Sequence, residues 1–582
     1  MLPNLAAQLK MRPRAVQLPD KEHPGQGHRN PADAWPEWPN QGPPVNERDW
    51  GRPRHRSSLA KSAGIVAGAF VLSRVLGLVR EVVLARQFGT SEEFSAYVSA
   101  FRIPDLLFLV VMAGAFGSAF IPVFSGLLGD GEDEAAWKLA SVVLNISGVI
   151  VVLTAALAWT FAVDLVRYIV APDASPQAQQ ITVDCMRILL LSPVFLGFGI
   201  AAKGILEGQD LFTLPALAPI VYNAATIAGA VILGPVVGVF GVAIGVVAGA
   251  VGFLLLEIPG LIRSGMQYSF SIDPRTPGVG EVGRLLAPRL IGQAAFQLNF
   301  IAVTNLAWRT GEQSVSALNY AWQLLMLPHG VLALSVSTVI LPTLSRLWQA
   351  GDTSAFRITL GNALRPLLYL SLPAAVVLFA FRSSIVQTLF QTGAFSAEST
   401  SRVSSPLAFL AAGLVSYALV EALTRAFYAM HDTRTPVVAG IIIIFLNIAV
   451  GLALLNRLGY LALALALSVS TTVEAVVLGA VLRKRLGGVT SQTRDWLLRV
   501  AISTAATALV AGALAGPLAE ATTPGNGPRL QQILVFLFAL SVVASVYLGC
   551  SWILRIPELS ESLDQVTRRS QQLRRLVTFA RR

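Results

Sequence analysis

The sequence predicts an all-α polytopic membrane protein of about 14 transmembrane helices, arranged as two six-helix lobes followed by two C-terminal helices. Three observations carry that reading. Of 582 residues 54% are hydrophobic and only 13% charged, with a mean hydropathy of +0.63. Soluble domains carry about 25% charged residues, so the polar coat that water requires is missing. Apolar runs long enough to cross about 30 Å of hydrocarbon recur along the chain, and Lys and Arg collect between alternate runs, as orientation in a bilayer demands.

Residues 1–58 are polar, Pro-rich and basic, with Lys10, Arg12, Arg14, Arg48, Arg52, Arg54 and Arg56. That composition reads as a disordered cytoplasmic tail. The apolar run that follows is too long for a signal-peptide core. Approximate limits of the expected spans are 62–88, 94–126, 138–163, 182–206, 214–234, 238–262, 284–308, 314–345, 364–390, 403–430, 435–455, 459–482, 496–519 and 530–554. Gly and Pro mark the joints. The resulting organisation is an N-terminal lobe over 59–265, a C-terminal lobe over 266–490, two extra helices over 491–556 and a basic cytoplasmic tail over 557–582. Pro122 and Pro342, and likewise Pro215 and Pro436, occur in similar contexts roughly 220 residues apart. Such spacing suggests an internal repeat, a hallmark of secondary transporters that bind substrate between their halves; coincidence of helix-end prolines is the alternative.

Charge fixes the expected orientation. With the N-terminus inside, the cytoplasmic connections hold Arg263, Arg275, Arg284, Arg346, Arg357, Arg365, Arg434, Arg483, Lys484, Arg485 and Arg494, and the opposite loops are sparser. The tail after Arg555 is again basic, so both termini are expected in the cytoplasm. A net charge of +11 placed in tails and short loops suits anionic headgroups rather than nucleic acid. Cys185 and Cys550 make no disulfide framework, five His residues form no HExxH pair, and no GxxxxGK[ST] motif is present. Neither a cofactor nor a metal is expected, and the chain reads as a transporter rather than an enzyme.

The candidate site lies in the first span, VLSRVLGLVREVVLARQFG, which carries Arg74, Arg80, Glu81 and Arg86. A charge at the bilayer centre costs at least about 2.5–3.5 kcal/mol, so such residues face a polar interior. At 1.5 Å per residue Arg74 lies roughly 18 Å along the span and Arg80 about 9 Å further, about 120° away around a straight helix. Gly77 between them permits a bend. Arg74 reads as half of an anion site, or as a structural pair with a carboxylate or with helix-end carbonyls. Arg86, near the far interface, reads as a snorkelling end residue. Gln297, Asn299 and Gln323 are polar positions in the seventh and eighth spans, serving interhelical hydrogen bonds or ligand contacts.

Five ordered motifs resemble one family. SRVLGLVREVVLARQFG, FRIPDLLFLVVMAGAFGSAFIPVF, LPALAPIVYN, LPHGVLALSVSTVILPTLS and FYAMHDTRTPV look like the MurJ (MviN) lipid II flippases of the multidrug/oligosaccharidyl-lipid/polysaccharide exporter superfamily, over about 59–555. The resemblance implies fourteen helices and movement of undecaprenyl-pyrophosphate-linked peptidoglycan precursor from the inner to the outer leaflet of the bacterial inner membrane, for cell-wall biogenesis and cell shape. It assigns the family's two first-helix arginines to Arg74 and Arg80, its following acid to Glu81 and a third basic position to Arg86. The sequence departs from the family at positions usually charged. Phe108 replaces an arginine, Ser95 lies near an acidic position, Trp322 and Gln323 replace an Asp-Arg pair, and Met326 a nearby acid.

A flippase of this kind would work by alternating access between the two lobes, driven by an ion gradient or the membrane potential. Buried guanidinium groups would replace the hydration of the pyrophosphate. The alternatives are an exporter of another polyprenyl-linked glycan, a drug/ion antiporter of the same superfamily, and a membrane scaffold that does not transport.

Overall fold

The computed structural model describes residues 56–109, 115–487 and 491–561. The tail expected at 1–58 lies outside the described residues except for its last three, as does most of that at 557–582. Every regular element among the described residues is helical. Lipid dictates this, because a helix pairs its backbone N–H and C=O groups within one segment.

In chain order the helices are α1 (Arg56–Phe88), α2 (Glu92–Ala100), α3 (Arg102–Leu107), α4 (Ile121–Gly129), α5 (Asp133–Thr160), α6 (Ala162–Asp164), α7 (Pro176–Leu189), α8 (Leu191–Glu207), α9 (Thr213–Ala228), α10 (Gly234–Val237), α11 (Val239–Arg263), α12 (Val279–Trp308), α13 (Ser314–Gln349), α14 (Thr353–Ala380), α15 (Arg382–Phe390), α16 (Ala397–Ala429), α17 (Arg434–Leu458), α18 (Leu461–Leu486), α19 (Ser491–Ala521) and α20 (Arg529–Ile553). By length and composition ten stretches among the described residues can cross a membrane: α5, α7 with α8, α9 with α10, α11, α14, α16, α17, α18, α19 and α20. Three more helices, α1, α12 and α13, have 33, 30 and 36 residues, more than the roughly 20 a crossing needs. They break their apolar surface with Arg74, Arg80 and Glu81, with Gln293, Gln297 and Asn299, and with Asn319 and Gln323 respectively.

Within the second expected span, 94–126, α2 and α3 are separated at Phe101, and a π-helical stretch at Ala115–Phe120 runs directly into α4. Pro104 falls in the first turn of α3, where the amide hydrogen it lacks is least missed, and Pro122 follows the change from π-helix to α-helix. Pro215 and Pro436 each stand at the third residue of their helix, in α9 and α17. Pro342, by contrast, sits inside the continuous α13.

Packing is mostly between helices near in sequence. α11 lies on α8 and α9, α5 on α8, and α2 on α7. Further along, α16 packs on α13, α14 and α18, α17 on α18 and α12, and α19 on α14 and α20. α12 and α13 also reach back to α3 and α2. The outward faces are apolar, with Leu153, Leu509 and Phe538 at 63%, 77% and 71% exposure. So much exposed hydrocarbon is what a lipid-facing surface requires.

The turn joining α16 to α17 is held by charge. Asp432 accepts from the Thr435 hydroxyl at 2.6 Å and pairs with Arg485 at 2.6 Å. Partial burial alone would raise the Asp432 carboxyl, but the Thr435 hydrogen bonds and the Arg485 guanidinium outweigh it and hold the group below its ordinary 3.8. A lowered pKa stabilises the fold above the unfolded value and loses that contribution as pH falls through the folded one. Thermal unfolding in detergent is therefore expected to show an Asp432→Asn variant melting below the parent at pH 7. The two should converge once the pH lies well under 3.8.

Candidate functional site

The first cavity, of about 540 Å³, is lined on α1 by Arg74, Gly77, Arg80 and Glu81. α8 contributes Lys203 and Glu207, α9 contributes Tyr222 and Asn223, and α13 contributes Gln323 and Met326. Both arginines reach this space despite their angular separation, and Gly77 between them presents no side chain to fill it. Arg80 donates through Nε and Nη2 to one oxygen of Glu81, at 3.2 and 2.8 Å, and through Nη1 to Asn223 Oδ1 at 3.3 Å. Gln323 donates to the same Glu81 oxygen at 3.3 Å. The Arg80 side chain is 24% exposed and that of Glu81 9%, so the pair sits at the cavity wall with the guanidinium still open to a ligand.

Arg74 differs. Among the described residues no carboxylate lies within ion-pair distance of it, and its guanidinium rests 5.2 Å from the centroid of the Phe70 ring. The carboxylate half of the structural alternative for Arg74 is therefore not met among these residues. Lys203 and Glu207 approach at 3.7 Å. The lining thus sets three cations against two carboxylates, a balance that attracts an anion.

A second cavity has a volume of about 260 Å³. Gln323 lines both. Along α13, Val315, Leu318, Asn319 and Trp322 before Gln323 line the second cavity, whereas Leu324, Met326 and Leu327 after it line the first. Arg102 and Asp105 of α3 and Gln297 and Thr304 of α12 complete its polar lining.

The remaining sequence candidates are dispersed. Arg86 is exposed in the last turn of α1 and lines neither cavity. Asn299 is buried and accepts from Asn447 Nδ2 at 2.7 Å, an interhelical bond. Gln297 faces the second cavity rather than the arginines. Among the positions usually charged in the family, Phe108 packs against a hydrophobic cluster that includes Phe116 and Phe120. Trp322 stands edge-on to Phe300 and Tyr417 at 5.3 and 5.6 Å. Residues that sequence reasoning did not single out include Asn223, Tyr222, Arg102 and Asp105. The rule that flagged Arg74 applies equally to Arg102 and Asp105, whose three-residue spacing places them on one helical face. Asn223 gave no such signal, because a lone amide in a span is ordinarily helix-to-helix glue.

One end of the first cavity is shut by a seam at the Phe88 end of α1. Phe390 lines the cavity there and joins Tyr320, Phe395 and Phe94 in an aromatic cluster with centroids 5.1–5.7 Å apart. Hydroxyls bridge the same seam. Thr90 Oγ1 lies 2.8 Å from Ser399 Oγ, Ser95 Oγ accepts from Ser316 N at 3.3 Å, and Trp308 Nε1 donates to Ser99 Oγ at 2.9 Å. Ser95 is fully buried here, which accounts for a neutral residue at that position, since an unpaired charge would be costly.

The two turns interlock through the backbone, with Ala394 N donating to Arg86 O at 2.8 Å. Gly89 has φ +55 and a Cβ on it would meet Ala394 O at 2.5 Å, while a Cβ on Gly393, at φ +61, would strike Arg86 O. Gly89→Ala is expected to force the seam apart at a cost of about 1–3 kcal/mol. Hydrogen exchange should show faster exchange at the 390–400 turn.

Fold and site together define a polytopic α-helical transporter with a cationic cavity. Residues 84–527 match the model of the family described as Lipid II flippase MurJ, and the chain belongs to that family. It is 31% identical over 507 residues to the lipid II flippase MurJ of Burkholderia cenocepacia, covering 84% of this chain and 96% of that one. The probable lipid II flippase MurJ of Vibrio cholerae is 30% identical over 466 residues, covering 78% and 88%. A solved structure of a lipid II flippase MurJ in an inward closed conformation superposes with TM-score 0.68 at 25% identity, covering 83% of this chain and 98% of that one. An inward-facing multidrug resistance MATE transporter superposes with TM-score 0.61 at 16% identity, covering 71% and 94%, a likeness of fold alone.

Proposed function

We propose that this chain is a lipid II flippase, moving the undecaprenyl-pyrophosphate-linked peptidoglycan precursor from the inner to the outer leaflet of a bacterial inner membrane. The observation that carries the site is the meeting of Arg74 and Arg80 in one cavity, with Arg74 left without a carboxylate among the described residues. A pyrophosphate entering there exchanges water for charge-assisted hydrogen bonds from two guanidinium groups. Glu81 and Asn223 hold Arg80 in place, and Gln323 steadies Glu81. The wall is preorganised for an anion before one arrives.

The finer reading follows from charge and packing. Both termini lie in the cytoplasm, four further crossings bring the total to fourteen, and the lobes 59–265 and 266–490 rock about the shared cavity. The seam at Thr90 and Ser399 is then the periplasmic gate, closed here, and the headgroup enters from the cytoplasmic side. An inward-negative potential favours return of the cationic cavity after release, which couples cycling to the membrane potential. Complementation tests this proposal. Cells depleted of their own flippase should grow with the wild-type chain and lyse with the Arg74→Ala/Arg80→Ala variant at equal expression. Equal rescue would remove the site.

A further inference from the structure

The second cavity has the chemistry of a carbohydrate site. Arg102 uses Nε to donate to Thr304 Oγ1 at 2.7 Å and lies 5.4 Å from the centroid of the Phe300 ring. Its position is fixed while its terminal nitrogens make no hydrogen bond among the described residues. Asp105, one helical turn on, lines the cavity with neither an ion pair nor a side-chain hydrogen bond among the described residues. The Gln297 and Asn319 amides line it as well, likewise without side-chain partners among these residues, although Gln297 is only 7% exposed. These polar atoms open onto the cavity rather than being sealed in protein, so their hydrogen-bonding capacity is left for a ligand or water. The apolar wall is the edge-to-face pair of Trp322 and Phe300. Aromatic faces that can meet the C–H face of a pyranose, beside a carboxylate and amides that can bind hydroxyl and acylamino groups, suit an amino sugar.

We propose that this cavity binds the sugar of the lipid-linked precursor while the first cavity holds its pyrophosphate. The proposal rests on the pyrophosphate reading of Arg74 and Arg80. Placement supports it, because Gln323 lines both cavities and the sugar is bonded directly to the pyrophosphate. Size supports it too, since about 260 Å³ admits a ring but not a whole polyprenyl tail. Trp322 and Gln323, neutral where the family is usually charged, are then part of a sugar-facing wall.

The test compares two ligands on the full-length protein in nanodiscs: undecaprenyl pyrophosphate, which has no sugar, and the complete undecaprenyl-pyrophosphate-linked peptidoglycan precursor. Trp322→Ala and the isosteric Asp105→Asn are each expected to weaken binding of the complete precursor about tenfold. Binding of undecaprenyl pyrophosphate should stay within about twofold. Arg80→Ala should weaken both ligands, so failure of the pyrophosphate reading registers separately in that variant. Asp105→Asn keeps the side-chain volume, so its result stands even if Trp322→Ala folds poorly. Unchanged binding of the complete precursor by Asp105→Asn, or equal loss for both ligands, overturns the assignment.

Discussion

Replacing Arg74 and Arg80 together by alanine is expected to lower lipid II transport about 100-fold or more. Hydrogen bonds to charged groups contribute about 1.5–3 kcal/mol each, and every 1.4 kcal/mol is about tenfold. The two arginines are expected to fail differently. Arg74 has no carboxylate partner among the described residues, so its removal should leave stability nearly unchanged. Arg80 neutralises Glu81, which is 7% exposed. Arg80→Ala leaves that carboxylate with Gln323 as its remaining donor, at a cost of about 2–3 kcal/mol. That lies below the roughly 3–5 kcal/mol of a fully buried pair, because the Arg80 side chain is partly exposed.

A double variant separates structure from function. Arg80→Leu with Glu81→Leu removes both charges and should return the melting temperature close to that of wild type, yet transport should remain lost. Arg80→Lys keeps the charge but not the fork that grips Glu81 and Asn223, and should retain only part of the activity. Recovery of transport along with stability in the Leu/Leu variant would make the pair a structural feature only.

The second large effect concerns the gate. Thr90 Oγ1 and Ser399 Oγ are 2.8 Å apart across the seam. With cysteines at both positions, oxidation should form a disulfide and hold the seam shut. Transport should fall to background and return on reduction, while each single cysteine variant stays active. The native Cys185 is buried and neither line of the seam includes Cys550, so the reversible loss should track the engineered pair. Full transport by the oxidised double variant would show that this seam does not open during the cycle.

Much of the fold was legible because lipid simplifies it. Where a run was uninterrupted, as at 435–455 or 530–554, the helices α17 and α20 start and end within a few residues of expectation. The run at 94–126 misled because hydropathy is blind to backbone register. The break at Phe101 and the π-helical stretch at Ala115–Phe120 change that register without lowering the apolar character of the run. By length and composition ten crossings are counted among the described residues, and α1, α12 and α13 add three helices longer than a crossing needs.

For the site, Arg74, Arg80 and Glu81 were legible as charges in an apolar segment. That they share one cavity was not, since a straight helix separates the arginines by about 120° and only their reach around Gly77 brings them together. Asn223 and Lys203 enter through the placement of α8 and α9, which no local pattern encodes. Arg102 and Asp105 were visible by the same charge rule, yet their meaning depends on Thr304 and Phe300, about 200 residues away.

The central claim is that the Arg74–Arg80 cavity carries the pyrophosphate of lipid II across the bilayer. Its most direct test is reconstitution of the purified full-length chain into liposomes loaded with lipid II, with an imposed potential and a probe that reads outer-leaflet precursor. Wild type should move lipid II to the opposite leaflet, and the Arg74→Ala/Arg80→Ala variant, folded and inserted to the same extent, should match protein-free liposomes. Equal translocation by the two proteins would contradict the account.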